Sequence, residues 1–360
     1  MQQVFTADKI FTGSDWLHQH AVIVKDERIE DVLPIVSMQD IPVTQHYPVL
    51  VPAFVDIQIY GAAGKLLAVY PGADSLQKLY EHCVSGGTHY FLPTVATNTF
   101  EVFYKCIDAV KEYWLQDGKG VVGLHIEGPW INKIKRGAHI ESLIHSPTLK
   151  EAKELLAYGK GVIKMITLAP EVCSREVIDL ILSEDIIISA GHSNATFKEG
   201  ISAFDNSIPA ATHLFNAMSP LHHREPGLPA AVMQHPSVMA SIIPDGYHVD
   251  FEMISIAKKI MGERLFIITD AVTETQEGLY HHHLSGDKYE AGGILSGSAL
   301  TMALGVKNLI EKVNLKSDEA LRMASLYPAR LLGMSNEIGM IKKGYRANFA
   351  AMNEKFEMLS

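Results

Sequence analysis

The sequence has few of the features that mark a disulfide-stabilised, secreted or membrane-spanning protein. Only three of its 360 residues are cysteine, and Cys83, Cys106 and Cys173 are odd in number and widely spaced, which fits a reducing compartment. Residues 1–13 include Asp8 and Lys9 and have no apolar signal-peptide core. No apolar run approaches the roughly 20 residues that span a bilayer. We therefore expect a cytoplasmic protein with no membrane partner.

Basic residues are also too few for a nucleic-acid-binding surface. Lysine and arginine number 31 against 41 aspartate and glutamate residues, which gives a formal net charge of −10. Phosphate backbones require a basic surface, so a nucleic-acid partner is not expected, whereas a small anionic substrate needs only a few local cations. The composition, with 47% hydrophobic and 20% charged residues, is that of a soluble globular protein.

Apolar, β-branched runs recur through the middle of the chain. Most are separated by stretches of helical period, such as residues 74–85 and 100–115. The eight runs are Pro52–Ile59, His89–Val95, Val121–Glu127, Val162–Ala169, Ile186–Gly191, Ala210–Leu214, Met239–Ile243 and Leu265–Thr269. Buried strands joined by helices predict an α/β fold with a (β/α)8 TIM-like barrel. A doubly wound sheet is disfavoured because no glycine-rich phosphate loop follows the first run.

The two ends of the chain have a different pattern from the middle. Short β-like segments separated by Gly, Asp and Pro fill residues 1–50, and residues 339–352 again have β character. We predict a small β-sandwich domain formed by residues 1–50 plus 336–360, and a barrel formed by residues 51–335. The sequence ends at Ser360, short of the final strand expected there, so the small sheet is expected to lack an edge or to be completed differently.

Residues able to do chemistry are concentrated at the carboxyl ends of the predicted strands. In chain order they are Gln58, Tyr60, Glu127, His192, His213, Asp245, His248 and Asp270. The strand ends of a barrel converge on one mouth, where the active site lies. Each residue taken alone is more often a solvated rim residue or a satisfied hydrogen-bonding group. Because several strand ends all carry such residues, we expect them to form one site.

Three of these residues have the chemistry of a catalytic zinc-type site. Glu127, His192 and His213 offer one carboxylate and two imidazoles from separate strands, which leaves a fourth position for water. Asp270 would then be the general base that takes a proton from the metal-activated water and passes it to a leaving amine. Zinc, iron, cobalt and manganese all suit such a site.

The chain also resembles the amidohydrolase superfamily and, within it, the N-acetylglucosamine-6-phosphate deacetylase family. The resemblance rests on an ordered set of short segments that runs from the third predicted strand to the end of the barrel. The segments are Gly123–Trp130, Arg136–His139, Leu168–Glu171, Ala190–Ala195, Thr212–Met218, His223–Gly227, Pro244–His248, Ile268–Ala271 and Leu295–Met302. It implies hydrolysis of an N-acetylated hexosamine 6-phosphate to acetate and the amino sugar phosphate.

The resemblance also implies roles for individual residues. Glu127, His192 and His213 resemble the metal ligands, and Asp270 resembles the acid–base residue. His248 would contact the substrate and polarise the acetamide carbonyl. Arg224 resembles a phosphate-binding residue that a neighbouring subunit can supply, so a homodimer is implied. The sugar pocket would be lined by Ala138, Asn216, Ala217, Leu295, Ser296 and Gly297.

The end of the first strand departs from the superfamily pattern. Many members carry His-x-His there to hold a second metal, whereas this chain has Gln58 and Tyr60. Neither is a good transition-metal ligand beside imidazole, so we predict one divalent metal per subunit, with zinc as the first expectation. The two residues remain possible contacts of the site.

Alternatives remain open at this stage. The substrate could be the N-acetylgalactosamine epimer or another small amide. The two epimers differ in the orientation of one hydroxyl, which the geometry of the pocket recognises and sequence motifs do not determine. A non-catalytic binding protein of the same fold is less favoured, since Glu127, His192, His213 and Asp270 are all present. The run His281–His283 is interpreted as a solvated loop, with an adventitious surface metal site as the alternative.

Overall fold

A computed structural model describes residues 2–37 and 42–359 of the chain. Met1, residues 38–41 and Ser360, which fall within the predicted small domain, lie outside the described residues. The chain divides into two compact units. One comprises Met1–Asp56, Cys83–Tyr90 and Thr301–Ser360, and the other comprises Ile57–His82 and Phe91–Leu300. The predicted boundaries, 1–50 plus 336–360 and 51–335, stay a prediction.

In the first unit, the two ends of the chain share one five-stranded sheet. Its strands are β1 (Gln2–Phe11), β2 (Trp16–Lys25), β3 (Arg28–Pro34), β4 (Gln45–Pro52) and β18 (Phe349–Met352), in the order β18-β4-β1-β2-β3. Within this sheet β1 and β4 pair in parallel, and the other neighbouring strands pair antiparallel. Side chains from β1, β2 and β4 form a buried apolar cluster, in which Ile10, Val22 and Leu50 are almost fully enclosed. This sheet corresponds to the small β domain predicted for the terminal segments.

The predicted barrel is confirmed as an eight-stranded sheet. Its strands are β5 (Phe54–Ile59), β8 (Thr88–Ala96), β9 (Leu124–Glu127), β10 (Ile163–Leu168), β11 (Ile187–Ala190), β12 (Ala210–Ala211), β13 (Met239–Ile242) and β14 (Leu265–Ile267). They lie in the order β14-β13-β12-β11-β10-β9-β8-β5. Seven of the eight predicted runs contain one of these strands whole, and β8 extends one residue beyond the predicted run at each end. A parallel bridge between Ile59 and Ala271 connects the first strand to the last.

Helices connect the barrel strands and continue after them. They are α1 (Ala73–Ser85), α2 (Phe100–Leu115), α3 (Leu149–Tyr158), α4 (Arg175–Ser183), α5 (Phe197–Asp205), α6 (Gly227–Gln234), α7 (Phe251–Met261), α8 (Met302–Glu311), α9 (Ser317–Ala324) and α10 (Leu326–Leu331). Capping boxes define two of the starts, with Thr148 and Glu151 at α3 and Thr196 and Glu199 at α5. None of these helices is long and apolar enough to cross a bilayer.

Two small antiparallel sheets lie in the loops that follow the first and last barrel strands. The first is the pair β6 (Gly61–Ala62) and β7 (Lys65–Leu66). The second is the three-stranded sheet β15 (His283–Ser285), β16 (Lys288–Ala291) and β17 (Ile294–Ser298). Loops after barrel strands line the active-site mouth in this fold, so both sheets belong to the functional face.

Candidate metal and substrate site

Glu127, at the end of β9, is the centre of a buried polar cluster. Its Oε1 atom lies 3.2 Å from Nε2 of His213 and 3.4 Å from Nε2 of His192. The two imidazole nitrogens are 3.1 Å apart. The three residues come from the ends of three different strands, and all are buried. The structure therefore brings the three predicted ligands together around one point.

The spacing of these three donor atoms fits a bound divalent metal. Bonds of about 2.0–2.1 Å at tetrahedral angles place neighbouring ligand atoms about 3.3 Å apart. The three distances between Oε1 and the two Nε2 atoms are 3.1, 3.2 and 3.4 Å. One carboxylate oxygen and two imidazole nitrogens are also a donor set that zinc and its neighbours in the first transition row accept.

Backbone conformation at the strand ends helps to aim these side chains. His192, His213 and Asp270 all have left-handed backbones, with φ of 47°, 33° and 54°. Such angles are strained for residues with a Cβ atom and are concentrated at functional sites. These three residues lie two or three positions beyond the ends of β11, β12 and β14.

The two imidazoles are oriented in different ways. Nδ1 of His192 donates to the carbonyl of Lys135 at 3.0 Å, which leaves the Nε2 lone pair for the cluster. Nδ1 of His213 is buried and has no hydrogen-bond partner within the described residues. The backbone of His213 is held instead, because its N–H donates to Oγ of Ser241 at 2.8 Å.

His139 is a member of this cluster that the sequence reasoning did not assign. Its Nε2 atom lies 3.2 Å from Oε2 of Glu127, and its Nδ1 atom lies 2.7 Å from Oγ1 of Thr97. Glu127, His139 and His192 also offer atoms that all lie within 4.8 Å of one another. We prefer His213 to His139 as the third ligand, since His139 faces the other carboxylate oxygen. Because His139 lies in a loop and not at the end of a strand, the pattern of strand ends does not reveal it.

Charge balance keeps the carboxylate of Glu127 ionised. Burial alone would raise its pKa, but the imidazoles of His192, His139 and His213 outweigh burial and hold the pKa well below its ordinary value. Burial lowers the pKa of His139 to about 4, so this ring is neutral at neutral pH. At His213 burial also lowers the pKa, but the hydrogen bond and negative charge of Glu127 outweigh it and raise the pKa of that ring. Because a metal binds the deprotonated ligands, its binding would displace protons from this cluster.

Asp270 lies beside the cluster and is tied to it through the first barrel strand. Nε2 of Gln58 lies 2.8 Å from Oδ1 of Asp270 and 2.9 Å from Oε1 of Glu127. The phenol of Tyr60 donates to Oε2 of Glu127 and also lies 3.3 Å from Oδ1 of Asp270. Burial raises the pKa of Asp270, a shift opposed by the charge of His213. A carboxyl group tuned in this direction suits proton transfer near neutral pH.

Gln58 and Tyr60 are both donors toward the two carboxylates. Burial, together with the negative charges of Glu127 and Asp270, raises the pKa of Tyr60 well above its ordinary value, so the phenol keeps its proton. A protonated phenol and an amide NH2 group offer no strong ligand to a transition metal. In this chain Gln58 and Tyr60 therefore link the carboxylates of Glu127 and Asp270 by hydrogen bonds.

His248 enters the same site from the loop after β13 and is paired with Asp245. Nδ1 of His248 lies 2.6 Å from Oδ2 of Asp245, and the two side chains are only 7% and 3% exposed. Burial opposes ionisation of Asp245, but hydrogen bonds from His248 and the backbone lower its pKa. Since Asp245 holds Nδ1, the other ring nitrogen remains available to a ligand.

A cavity of about 150 Å³ connects these groups to the predicted substrate contacts. Its walls include the polar residues Tyr60, Glu127, His139, His192, His213 and Asp270, together with Gly137, Ile243 and all but one of the residues predicted to contact the substrate. Those present are Ala138, Asn216, Ala217, His248, Leu295, Ser296 and Gly297. Arg224 is exposed and does not line the cavity. The assigned roles stay predictions.

The run His281–His283 is not uniformly solvated. His281 and His283 are exposed, but His282 is only 5% exposed, and its Nδ1 atom lies 2.8 Å from Oγ of Ser296. The interpretation as a solvated loop is therefore wrong for His282. The contact joins residues on separate segments of the loop that follows β14, so hydropathy along the sequence could not reveal it.

Comparisons with known proteins agree with this geometry. The chain matches the amidohydrolase family over residues 49–360 and the NagA composite domain over residues 4–42. It is 32% identical to the N-acetylglucosamine-6-phosphate deacetylase of Haemophilus influenzae, over 97% of this chain and 95% of that protein. It is 30% identical to the N-acetylgalactosamine-6-phosphate deacetylase of Escherichia coli O157:H7, over 98% and 96%.

A solved structure extends the likeness to three dimensions. The crystal structure of N-acetylglucosamine-6-phosphate deacetylase from Pasteurella multocida superposes with a TM-score of 0.93 at 32% identity, over 100% of this chain and 97% of that chain. Both the barrel and the small terminal sheet are included in this coverage. The chain therefore belongs to the amidohydrolase family and is a relative of its N-acetylglucosamine-6-phosphate deacetylases.

Proposed function

We propose that this protein is a metal-dependent deacetylase that hydrolyses the acetamide of N-acetyl-D-glucosamine 6-phosphate to D-glucosamine 6-phosphate and acetate. The observation that carries the proposal is the convergence of Glu127, His192 and His213 beside Asp270 in one cavity. The proposal is supported by the near full-length similarity to the H. influenzae enzyme of that name.

Glu127, His192 and His213 would hold one divalent metal per subunit, with zinc as the first expectation and iron, cobalt or manganese as alternatives. When bound, such a metal lowers the pKa of water toward neutrality and polarises a carbonyl oxygen. A single ion is supported by Gln58 and Tyr60, whose donor groups occupy the position between Glu127 and Asp270.

Asp270 acts as the acid–base residue in this proposal. In its ionised form it accepts a proton from the attacking water, and in its protonated form it donates that proton to the departing amine. His248 directs its free ring nitrogen to the acetamide oxygen, where negative charge develops. The pair with Asp245 supports this role, because it holds the ring in one orientation.

The phosphate group would be bound by Arg224. None of the described residues that line the cavity is lysine or arginine, so a dianionic group needs a cation from elsewhere. Arg224 is exposed on the loop that follows β12, which supports its supply by the second subunit of a homodimer. A cytoplasmic location remains part of the proposal and is supported by three unpaired cysteines.

The epimeric substrate, N-acetylgalactosamine 6-phosphate, is a second candidate because the E. coli relative carries that name at 30% identity. The two sugars differ only in the orientation of one hydroxyl. The same catalytic residues serve both, so the choice depends on the shape of the sugar pocket.

The test is acetate release from the two N-acetylated hexosamine 6-phosphates and from unphosphorylated N-acetylglucosamine, each before and after chelation. We expect metal-dependent activity, with a higher kcat/KM for N-acetylglucosamine 6-phosphate than for either alternative. A higher kcat/KM for the galactosamine epimer would select the second candidate. Activity that survives complete metal removal would contradict the proposed chemistry.

A further inference from the structure

The wall of the cavity that carries Leu295, Ser296 and Gly297 belongs to an irregular strand. In the pairing of β16 with β17, Tyr289 lies opposite Gly297 and Glu290 lies opposite Leu295. Two consecutive residues of β16 therefore face two residues of β17 that are not consecutive. Ser296 is the extra residue of a β-bulge, a feature that re-aims side chains beside functional sites.

Ser296 cannot be positioned by the strand ladder alone, because a bulged residue leaves that ladder. The next residue, Gly297, has φ of 145°, and a Cβ atom there would lie 2.6 Å from Val272 and 3.0 Å from the carbonyl of Asp270. Beyond it, the N–H of Ser298 donates to the Asp270 carbonyl at 3.0 Å. The bulge is therefore packed directly against the segment that carries the acid–base residue.

His282 supplies the contact that the ladder does not. Its Nδ1 atom lies 2.8 Å from Oγ of Ser296, and the ring is buried between two exposed histidines. The Tyr280 ring lies parallel to it, with an interplanar angle of 7° and a centroid distance of 6.1 Å. The Tyr280 hydroxyl donates to the carbonyl of Thr97 at 2.7 Å. His282 is thus connected through Tyr280 to the barrel rim.

We propose that His282 is a positioning residue for substrate binding, which holds the Ser296 bulge, and with it the Leu295–Gly297 wall, in the conformation that receives the sugar. The inference rests on the proposed function, since it concerns the same cavity. His282 does not line the cavity itself, so it acts through Ser296 and not by contact with substrate.

The first test compares steady-state kinetics of His282→Phe, His282→Asn, Ser296→Ala and the double variant His282→Phe/Ser296→Ala. Phenylalanine keeps the ring and removes the hydrogen bond, whereas the asparagine amide can replace Nδ1. We expect KM to rise roughly fivefold in His282→Phe and in Ser296→Ala, with kcat within about twofold of wild type. The double variant should be no worse than either single one, and His282→Asn should retain most of the affinity.

His283→Ala is the matched control, because it removes an exposed imidazole from the same run. It should leave KM unchanged. A wild-type KM in His282→Phe would overturn the inference. So would a double variant whose increase in KM equals the product of the increases in the two single variants. Failure of wild type to release acetate from either sugar phosphate would instead contradict the proposed function.

A second readout does not depend on activity. Amide hydrogen exchange in the free protein should be faster at residues 295–297 in His282→Phe than in wild type and His283→Ala, while β9 and β10 keep their protection. Equal exchange at residues 295–297 in all three proteins would contradict the positioning role. Ser296→Ala applies the same test from the other partner if His282→Phe fails to fold.

Discussion

The two sides of the cavity are built differently. On one side, Glu127, His192, His213 and Asp270 project from the ends of barrel strands that are buried on both faces. On the other side, the Leu295–Gly297 wall lies on a short antiparallel sheet in a loop, and a bulge and one buried histidine shape it. We infer that the barrel side carries the chemistry and the loop side carries recognition of the sugar. The first should therefore govern kcat, and the second should govern KM.

Loss of a metal ligand is expected to have the largest effect. His213→Ala removes one of three converging donor atoms and should lower metal content and kcat together, with activity at least about a thousandfold below wild type. Metal content per subunit and acetate release are the two measurements. His18→Ala, at an exposed histidine of β2, is the control and should keep both. Full activity in His213→Ala would assign the third ligand elsewhere, with His139 as the next candidate.

A smaller effect is expected for Asp245→Asn. The asparagine side chain can still accept hydrogen bonds from the backbone N–H groups of Tyr247 and His248, but it no longer presents a negative charge to the ring of His248. The ring loses the partner that holds its orientation, so kcat should fall roughly 10- to 100-fold while metal content stays normal. An unchanged kcat would remove His248 from the chemistry and would weaken the contrast between the two sides.

Arg224→Ala tests binding of the phosphate group, which we assign to neither the barrel side nor the loop side of the cavity. Loss of a charge-assisted contact should raise KM for the phosphorylated sugar roughly 10- to 100-fold and leave kcat/KM for the unphosphorylated sugar unchanged. Mixing Arg224→Ala with the inactive Asp270→Asn should restore part of the activity if the arginine comes from the second subunit. Equal KM values for wild type and Arg224→Ala would contradict the phosphate assignment.

The smallest expected effect concerns stability and pH. Burial lowers the pKa of His282 to about 4, whereas an unfolded histidine titrates near 6.5. Between pH 6.5 and pH 4 the unfolded chain binds a proton that the folded chain does not, so the free energy of unfolding falls as pH falls. The slope for one such group is at most about 1.4 kcal/mol per pH unit.

Removal of the His282 imidazole should therefore make stability less dependent on pH in this window. Urea unfolding at pH 7, 6 and 5 would compare wild type, His282→Phe and His283→Ala. We expect a shallower decline only in His282→Phe. The same decline in all three proteins would mean that His282 becomes protonated in the folded state.

The sequence predicted the barrel side of the site better than the loop side, for a physical reason. Position in a buried strand determines where the next residue points, so Glu127, His192, His213 and Asp270 could be found from strand ends alone. His139 lies in a loop, and His282 depends on Ser296, 14 residues away. Such contacts follow from tertiary packing, and neither periodicity nor spacing encodes them. Asp245 is an intermediate case: its place after a strand is visible in the sequence, but its bond to His248 depends on the fold of the loop.

The most direct test of the central claim is a measurement of metal content and acetate release in Asp270→Asn beside wild type. The substitution keeps the shape of a side chain that accepts a hydrogen bond from Gln58 and removes the carboxylate that we propose transfers the proton. We predict wild-type metal content and a kcat that is roughly 10²- to 10⁴-fold lower. An Asp270→Asn variant that keeps its metal and deacetylates at the wild-type rate would contradict the account.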